Sequence, residues 1–110
     1  MQTYQADGWS ALGDPSRRRV FELLVERPRS VADLADGLPI SRPAVSQHLK
    51  VLHAADLVDV RAEGTRRIYQ VKPDGLRRLR ADLDRFWSGA LADFKRLADA
   101  EAAEHSTRGR

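Results

Sequence analysis

Ser41-Arg42-Pro43-Ala44-Val45-Ser46-Gln47-His48-Leu49-Lys50-Val51-Leu52 reads as one amphipathic helix whose start is marked in the sequence. Ser41 supplies an N-cap hydroxyl, and Pro43 is tolerated in the first turn, where its missing N–H costs nothing. Val45, Leu49 and Leu52 recur at helical spacing and form the inward face. Pro43, Ser46, Gln47 and Lys50 are then left facing outward, with Arg42 at the exposed first turn. Such a face is either an ordinary solvated surface or one built to meet a polar partner.

The segments before this helix are also punctuated. Ser30 is an N-cap with Asp33 three residues on, a near capping box, and Val31, Leu34 and Leu38 share one side. Gly37 is the expected stop, and Pro39 keeps the helix from continuing. Gly37-Leu38-Pro39-Ile40 is therefore a tight turn between two short helices. Helix, turn, helix is a DNA-binding arrangement, although plain helical bundles contain it too. Further upstream, Asp14-Pro15-Ser16 opens another helix, with Val20, Phe21, Leu23, Leu24 and Val25 as its apolar face and an end near Arg27-Pro28. Tyr4 to Leu12 is a short helix ended by Gly13.

Downstream the period changes. Leu57-Val58-Asp59-Val60-Arg61 is short and β-branched, Ala62-Glu63-Gly64-Thr65 holds a turn glycine, and Arg66-Arg67-Ile68-Tyr69-Gln70-Val71 alternates. Two strands around a glycine turn make a β-hairpin. Pro73-Asp74 then opens a last helix with an apolar stripe. Leu76, Leu79, Leu83, Phe86, Trp87, Ala90, Leu91, Phe94, Leu97 and Ala98 fall at steps of three and four. The expected fold is mainly α with a small β-hairpin wing, in the order α-α-α-α-β-β-α: a winged helix-turn-helix. Residues 1–104 form the domain and 105–110 a frayed polar tail. No other element is left to cover the long stripe, so Leu79, Leu83, Phe86, Trp87, Ala90, Leu91 and Phe94 are expected at a homodimer interface.

Charge placement says more than the net +3. Residues 41–72 hold six basic and three acidic side chains, whereas 1–40 hold five and six, and 73–104 hold six and seven. Apart from Arg108 and Arg110, the whole surplus sits in the central stretch, as polyanion binding requires. There is no cysteine, which excludes disulfides, thiolate metal sites and thiol redox sensing. No apolar run approaches bilayer length, and Met1–Asp7 lacks the pattern of a secretory leader, so a cytoplasmic protein is expected. No Gly-x-Ser-x-Gly elbow, phosphate-cradling glycine loop or paired-histidine helix is present, so an enzyme is not expected.

Against double-stranded DNA the outward helix face has definite uses. Gln47 matches adenine N6 and N7, and Arg42 matches guanine O6 and N7. Ser46 is small enough for close approach, and Lys50 suits a phosphate. Arg61, Thr65, Arg66, Arg67 and Tyr69 of the hairpin complete the DNA-facing set, since adjacent arginines at a hairpin tip suit phosphates better than a core. His48 lies at the edge of the buried face and either reaches a phosphate or sits partly buried; the candidate set includes it. His53, nearer the helix end, reads as a structural or surface residue.

Ala11-Leu12-Gly13-Asp14-Pro15-Ser16-Arg17-Arg18, the Ser41–Leu52 helix, and Ala54-Ala55-Asp56-Leu57-Val58 with Glu63-Gly64-Thr65-Arg66-Arg67-Ile68-Tyr69 together resemble the ArsR family of winged-helix repressors, across roughly residues 9 to 98. The resemblance implies a homodimeric repressor on an imperfect inverted repeat in its own or a neighbouring promoter, with two recognition helices about 34 Å apart. Many members sense metals, and here the chain departs. The family's thiolate site needs cysteines, and its other site needs histidines on the last helix, where this chain has one late histidine, His105, among scattered carboxylates. The chain is thus similar to the metal-independent branch, and no metal or cofactor is expected. The alternatives are a metal-responsive repressor of the same fold and a winged-helix protein-interaction module.

Overall fold

The computed structural model describes residues 7–108. The elements run α1 (Gly8–Ala11), α2 (Pro15–Glu26), β1 (Arg29–Ser30), α3 (Val31–Asp36), α4 (Arg42–Ala54), β2 (Val58–Glu63), β3 (Arg66–Val71) and α5 (Pro73–Arg108). The chain divides into two compact units, one ending at Leu79 and the other beginning at Arg80.

In the first unit the punctuation acts as its chemistry demands. Asp14 caps α2 by accepting from Arg17 N at 3.0 Å, with proline in the first turn. Arg17 Nη1 and Arg18 Nε then reach back to the carbonyls of Ala11 and Leu12, each at 3.2 Å. The Asp14–Arg18 stretch therefore closes α1 and opens α2 together, which is a structural task. Ser30 and Asp33 form a full capping box on α3. Ser41 accepts from Ala44 N at 3.2 Å to start α4. The end of α4 is a complete Schellman motif: Leu57 N donates to Leu52 O and Asp56 N to His53 O, both at 3.0 Å. Asp56 holds the left-handed position, φ 64°, that glycine usually occupies.

The core lies between α2, α3, α4 and the start of β2. Val20, Leu24, Leu34, Val45, Leu49, Leu52, Leu57 and Val58 are all essentially inaccessible, and each contributes about 1.5–3 kcal/mol of burial free energy. Val25, expected on the apolar face of α2, is 58% exposed. It follows Leu24 by one residue, a 100° step that carries it off the inward face. The first helix is shorter than the sequence implies, with Leu12 as its C-cap; positions 4–6 of the expected helix lie outside the described residues.

The sheet has three strands, not two. Arg29–Ser30 pairs antiparallel with β3, so the order is β1-β3-β2. Two residues beside a proline carry no readable alternation, so this strand was invisible to periodicity. The hairpin turns at Gly64-Thr65, with Gly64 at φ 64° in the first central position, as in a II′ turn. The register pairs Val60 with Tyr69, Arg61 with Ile68, Ala62 with Arg67 and Glu63 with Arg66. Arg67, Tyr69 and Val71 therefore share one face, and Arg66, Ile68 and Gln70 the other.

The start of α5 belongs to the first unit. Lys72 N donates to Leu57 O at 2.8 Å, and the Asp56 carboxylate pairs with Lys72 Nζ at 2.6 Å and with Arg78. Leu79, expected at a dimer interface, is half-buried against the core of this unit, near Gly8 and Leu57. The second unit is the rest of α5, which stays helical through Arg108, four residues past the expected end at Glu104. Pairs three residues apart, Asp82 with Arg85 and Asp93 with Arg96, line its polar side. Phe86 and Trp87 meet edge to face with centroids 6.2 Å apart.

Candidate nucleic-acid interface

The reading face of α4 follows from how the core orients it. Val45, Leu49 and Leu52 are buried, so one turn of rotation leaves Arg42, Pro43, Ser46, Gln47, Lys50 and His53 exposed. The first turn carries no acidic residue. With Ser41 Oγ capping Ala44 N, the N-terminal turn stays open and positive, a favourable environment for phosphate. The side chains of Arg42 and Lys50 form no ion pair among the described residues, so neither cation is neutralised internally.

His48, read as either reaching a phosphate or sitting partly buried with a satisfied ring nitrogen, matches neither fully. It is half-buried, and its Nδ1 is inaccessible without a hydrogen-bond partner among the described residues. The Asp14 carboxyl is held below the usual carboxylate range chiefly by the hydrogen bond from Arg17 N, with smaller help from the charges of Arg17 and His48.

The hairpin's candidate residues do not form one surface. The strand register divides them. Arg61 and Arg66 stand on the Ile68 face, whereas Arg67 and Tyr69 stand on the opposite face, and Thr65 is at the exposed tip. Arg61 Nη1 donates to Gln70 Oε1 at 2.7 Å and pairs with Glu63 at 3.3 Å. Arg66 Nη2 donates to Ser30 Oγ at 2.8 Å and to Asp33 Oδ2 at 3.1 Å. The wing is thereby tied to the capping box of α3. Asp33 is held below the usual carboxylate range by the Ser30 backbone N–H, then by the Ser30 hydroxyl, with Arg66 adding a weaker pull. The sequence reading grouped the adjacent arginines as one DNA-facing pair; spacing could not show that Arg66 reaches back 36 residues in sequence.

The other face of the wing opens toward α4. Ser46, Leu49, Lys50 and His53 of α4 form one wall of a groove of about 250 Å³, and Val60, Arg67 and Tyr69 form the other. Its lining combines the apolar Leu49 and Val60 with the cationic Lys50 and Arg67. His53, set aside by the sequence reading, belongs to this groove. The signal for it was present: His53 follows Lys50 by three and Ser46 by seven, on one helix stripe.

Among the described residues, no three of the histidine, aspartate and glutamate side chains gather where a metal ion could sit, and no helix is long and apolar enough to cross a membrane.

The comparisons with known proteins agree with this geometry. A family model described as a helix-turn-helix domain matches residues 12–61. The HTH-type transcriptional regulator Rv2034 of Mycobacterium tuberculosis (strain ATCC 25618 / H37Rv) is 53% identical over 103 residues, covering 92% of this chain and 96% of that protein. The transcriptional repressor SdpR of Bacillus subtilis (strain 168) is 32% identical over 56 residues, covering 51% of this chain and 62% of that protein. The solved structure of an ArsR-like transcriptional regulator from Rhodococcus sp. RHA1 superposes with a TM-score of 0.69 at 31% identity, covering 82% of this chain and 88% of that one. A helix-turn-helix with an exposed polar reading face, a wing, a near-full-length regulator relative and an ArsR-like structural neighbour converge: this chain belongs to the ArsR family of winged helix-turn-helix proteins and is a DNA-binding transcriptional regulator, not an enzyme.

Proposed function

We propose that the protein is a homodimeric repressor that binds an inverted-repeat operator in its own or a neighbouring promoter on the bacterial chromosome. The observation that carries the DNA-facing assignment is the groove wall. The exposed stripe of α4 and the Arg67 face of the wing border one cationic cleft, so backbone contacts and base contacts come from adjoining surfaces. In this reading Gln47 and Arg42 meet base edges, Ser46 approaches closely, and Lys50, Arg67 and the wing tip at Thr65 hold the phosphates. Arg61 and Arg66 act from the far face of the wing, and Arg66 also keeps the wing seated on α3.

Dimerisation is supported by the second unit. Phe86, Trp87, Leu91, Phe94 and Leu97 are all more than half exposed on the single chain, and they recur on a helical stripe with Ala90. Side chains of that size, contiguous and uncovered, mark an interaction surface. A two-fold partner would cover it, and an inverted-repeat operator calls for two copies of α4 at the spacing of successive major grooves, about 34 Å. The name of the Bacillus subtilis relative supports repression as the output.

Footprinting on the gene's own upstream region, with sedimentation equilibrium of the free protein, tests the proposal. A protected imperfect palindrome and a dimer mass are expected. Equal affinity for random duplex and upstream region would refute the operator claim, and a monomer at working concentration would refute the dimer.

A further inference from the structure

We infer that His53 is a DNA-backbone contact, and that the groove between α4 and the wing takes up a proton when it seats a phosphate. This rests on the reading of α4 and the wing as the DNA face.

The groove collects cations without an anion to match them. Lys50 comes from α4 and Arg67 from β3, and neither forms an ion pair among the described residues. His53 is exposed on the same wall, one turn beyond Lys50. The groups facing it are Lys50 on its own helix and Arg67 and Tyr69 on β3, while β2 contributes the apolar Val60. No carboxylate lines the cleft. A DNA phosphate entering the cleft changes the charge around His53. Its single negative charge offsets part of the positive charge of Lys50 and Arg67 and offers His53 an anionic acceptor, so the charged imidazole is the form that binds. Histidine ordinarily changes charge between pH 5 and 8, where such a contact makes affinity depend on pH.

The test measures anisotropy of a labelled random-sequence duplex, and of the gene's upstream region, between pH 8 and pH 6 at constant salt. Backbone contacts are shared by both probes. Uptake of one proton per protomer gives wild type an affinity gain approaching about tenfold per pH unit per protomer within the titration range. The His53→Gln variant loses this gain: its affinity changes by less than about twofold between pH 8 and pH 6. The His53→Arg variant carries a permanent charge and binds at pH 8 as tightly as wild type does at pH 6. His53 is exposed and outside the core, and circular dichroism verifies that both variants are folded. Wild-type pH dependence retained in His53→Gln would overturn the inference, since the proton would then belong to His48 or His105. A pH-independent wild type would overturn it equally. If wild type binds neither duplex at any pH, the DNA-facing reading itself fails, and this inference with it.

Discussion

Gly75→Ala is the substitution whose outcome the structure determines most sharply. Gly75 is the third residue of α5, and a helix-propensity argument says that alanine there stabilises by about 1 kcal/mol. The packing says the opposite. A Cβ on Gly75 would lie 1.8 Å from Asp56 O, 2.8 Å from Asp56 C and 3.3 Å from Leu57 Cα. The obstacle is backbone, and it is pinned: Asp56 N and Leu57 N are held by His53 O and Leu52 O in the Schellman turn that ends α4. Ordinary contact begins near 3.4 Å, so the start of α5 must retreat by roughly 1.5 Å. That movement breaks the 2.8 Å bond from Lys72 N to Leu57 O, worth about 1 kcal/mol. It loosens the half-exposed pairs of Asp56 with Lys72 and Arg78, worth about 0.5 kcal/mol each. It also lifts Leu79 partly off the core, at about 1 kcal/mol, with residual steric strain of about another 1 kcal/mol. After the propensity gain is set against these losses, the net destabilisation is about 3 kcal/mol. Urea unfolding followed by far-UV circular dichroism reads it as a midpoint lowered by about 2 M, at a slope of about 1.5 kcal/mol/M. Both proteins must be compared at one concentration, because the proposed dimerisation would contribute to apparent stability. An unchanged or raised midpoint would refute the close backbone packing of α5 on the α4 turn.

Other expectations follow from the interface and the caps. Replacing Gln47 by alanine should relax preference at one base position by about 1–3 kcal/mol while sparing random-sequence affinity, as read by competition against single-position operator variants. Arg67→Gln should flatten the salt dependence of binding by about one phosphate's contribution, about 0.9 in the log–log slope per protomer. Arg66→Gln should in addition speed amide exchange along β3 near Ile68, because it releases the wing from Ser30 and Asp33; unchanged exchange would count against that tie. The depressed carboxyls of Asp14 and Asp33 contribute stability at neutral pH that is lost as pH falls through the acidic end of the carboxylate range. Asp14→Asn and Asp33→Asn should each make the acid limb of the stability curve shallower, as measured by urea midpoints from neutral pH downward. If the proposed dimer forms through α5, Phe86→Ala with Trp87→Ala should shift the protein to monomer in sedimentation without unfolding the first unit, since neither residue belongs to its core.

What the sequence determined by itself is local. Ser30, Ser41 and Asp14 start their helices because a side-chain oxygen next to three or four unpaired N–H groups acts within a few residues. The spacing of Val45, Leu49 and Leu52 set which side of α4 is inward, and hence that Ser46, Gln47 and Lys50 face out, because helix geometry converts separation directly into angle. The hairpin was legible for the same reason, through alternation and the glycine turn. Relations between distant residues were decided only by the tertiary structure. Strand β1 exists because β3 passes beside Arg29–Ser30, and a two-residue strand has no period to read. Arg66 is tied to Ser30, Leu79 joins the first unit's core, and His53 enters a groove with Arg67, none of which spacing encodes. Periodicity fixes which way a side chain points along its own element. What it then meets depends on the packing angle between elements, which is set by the whole core at once.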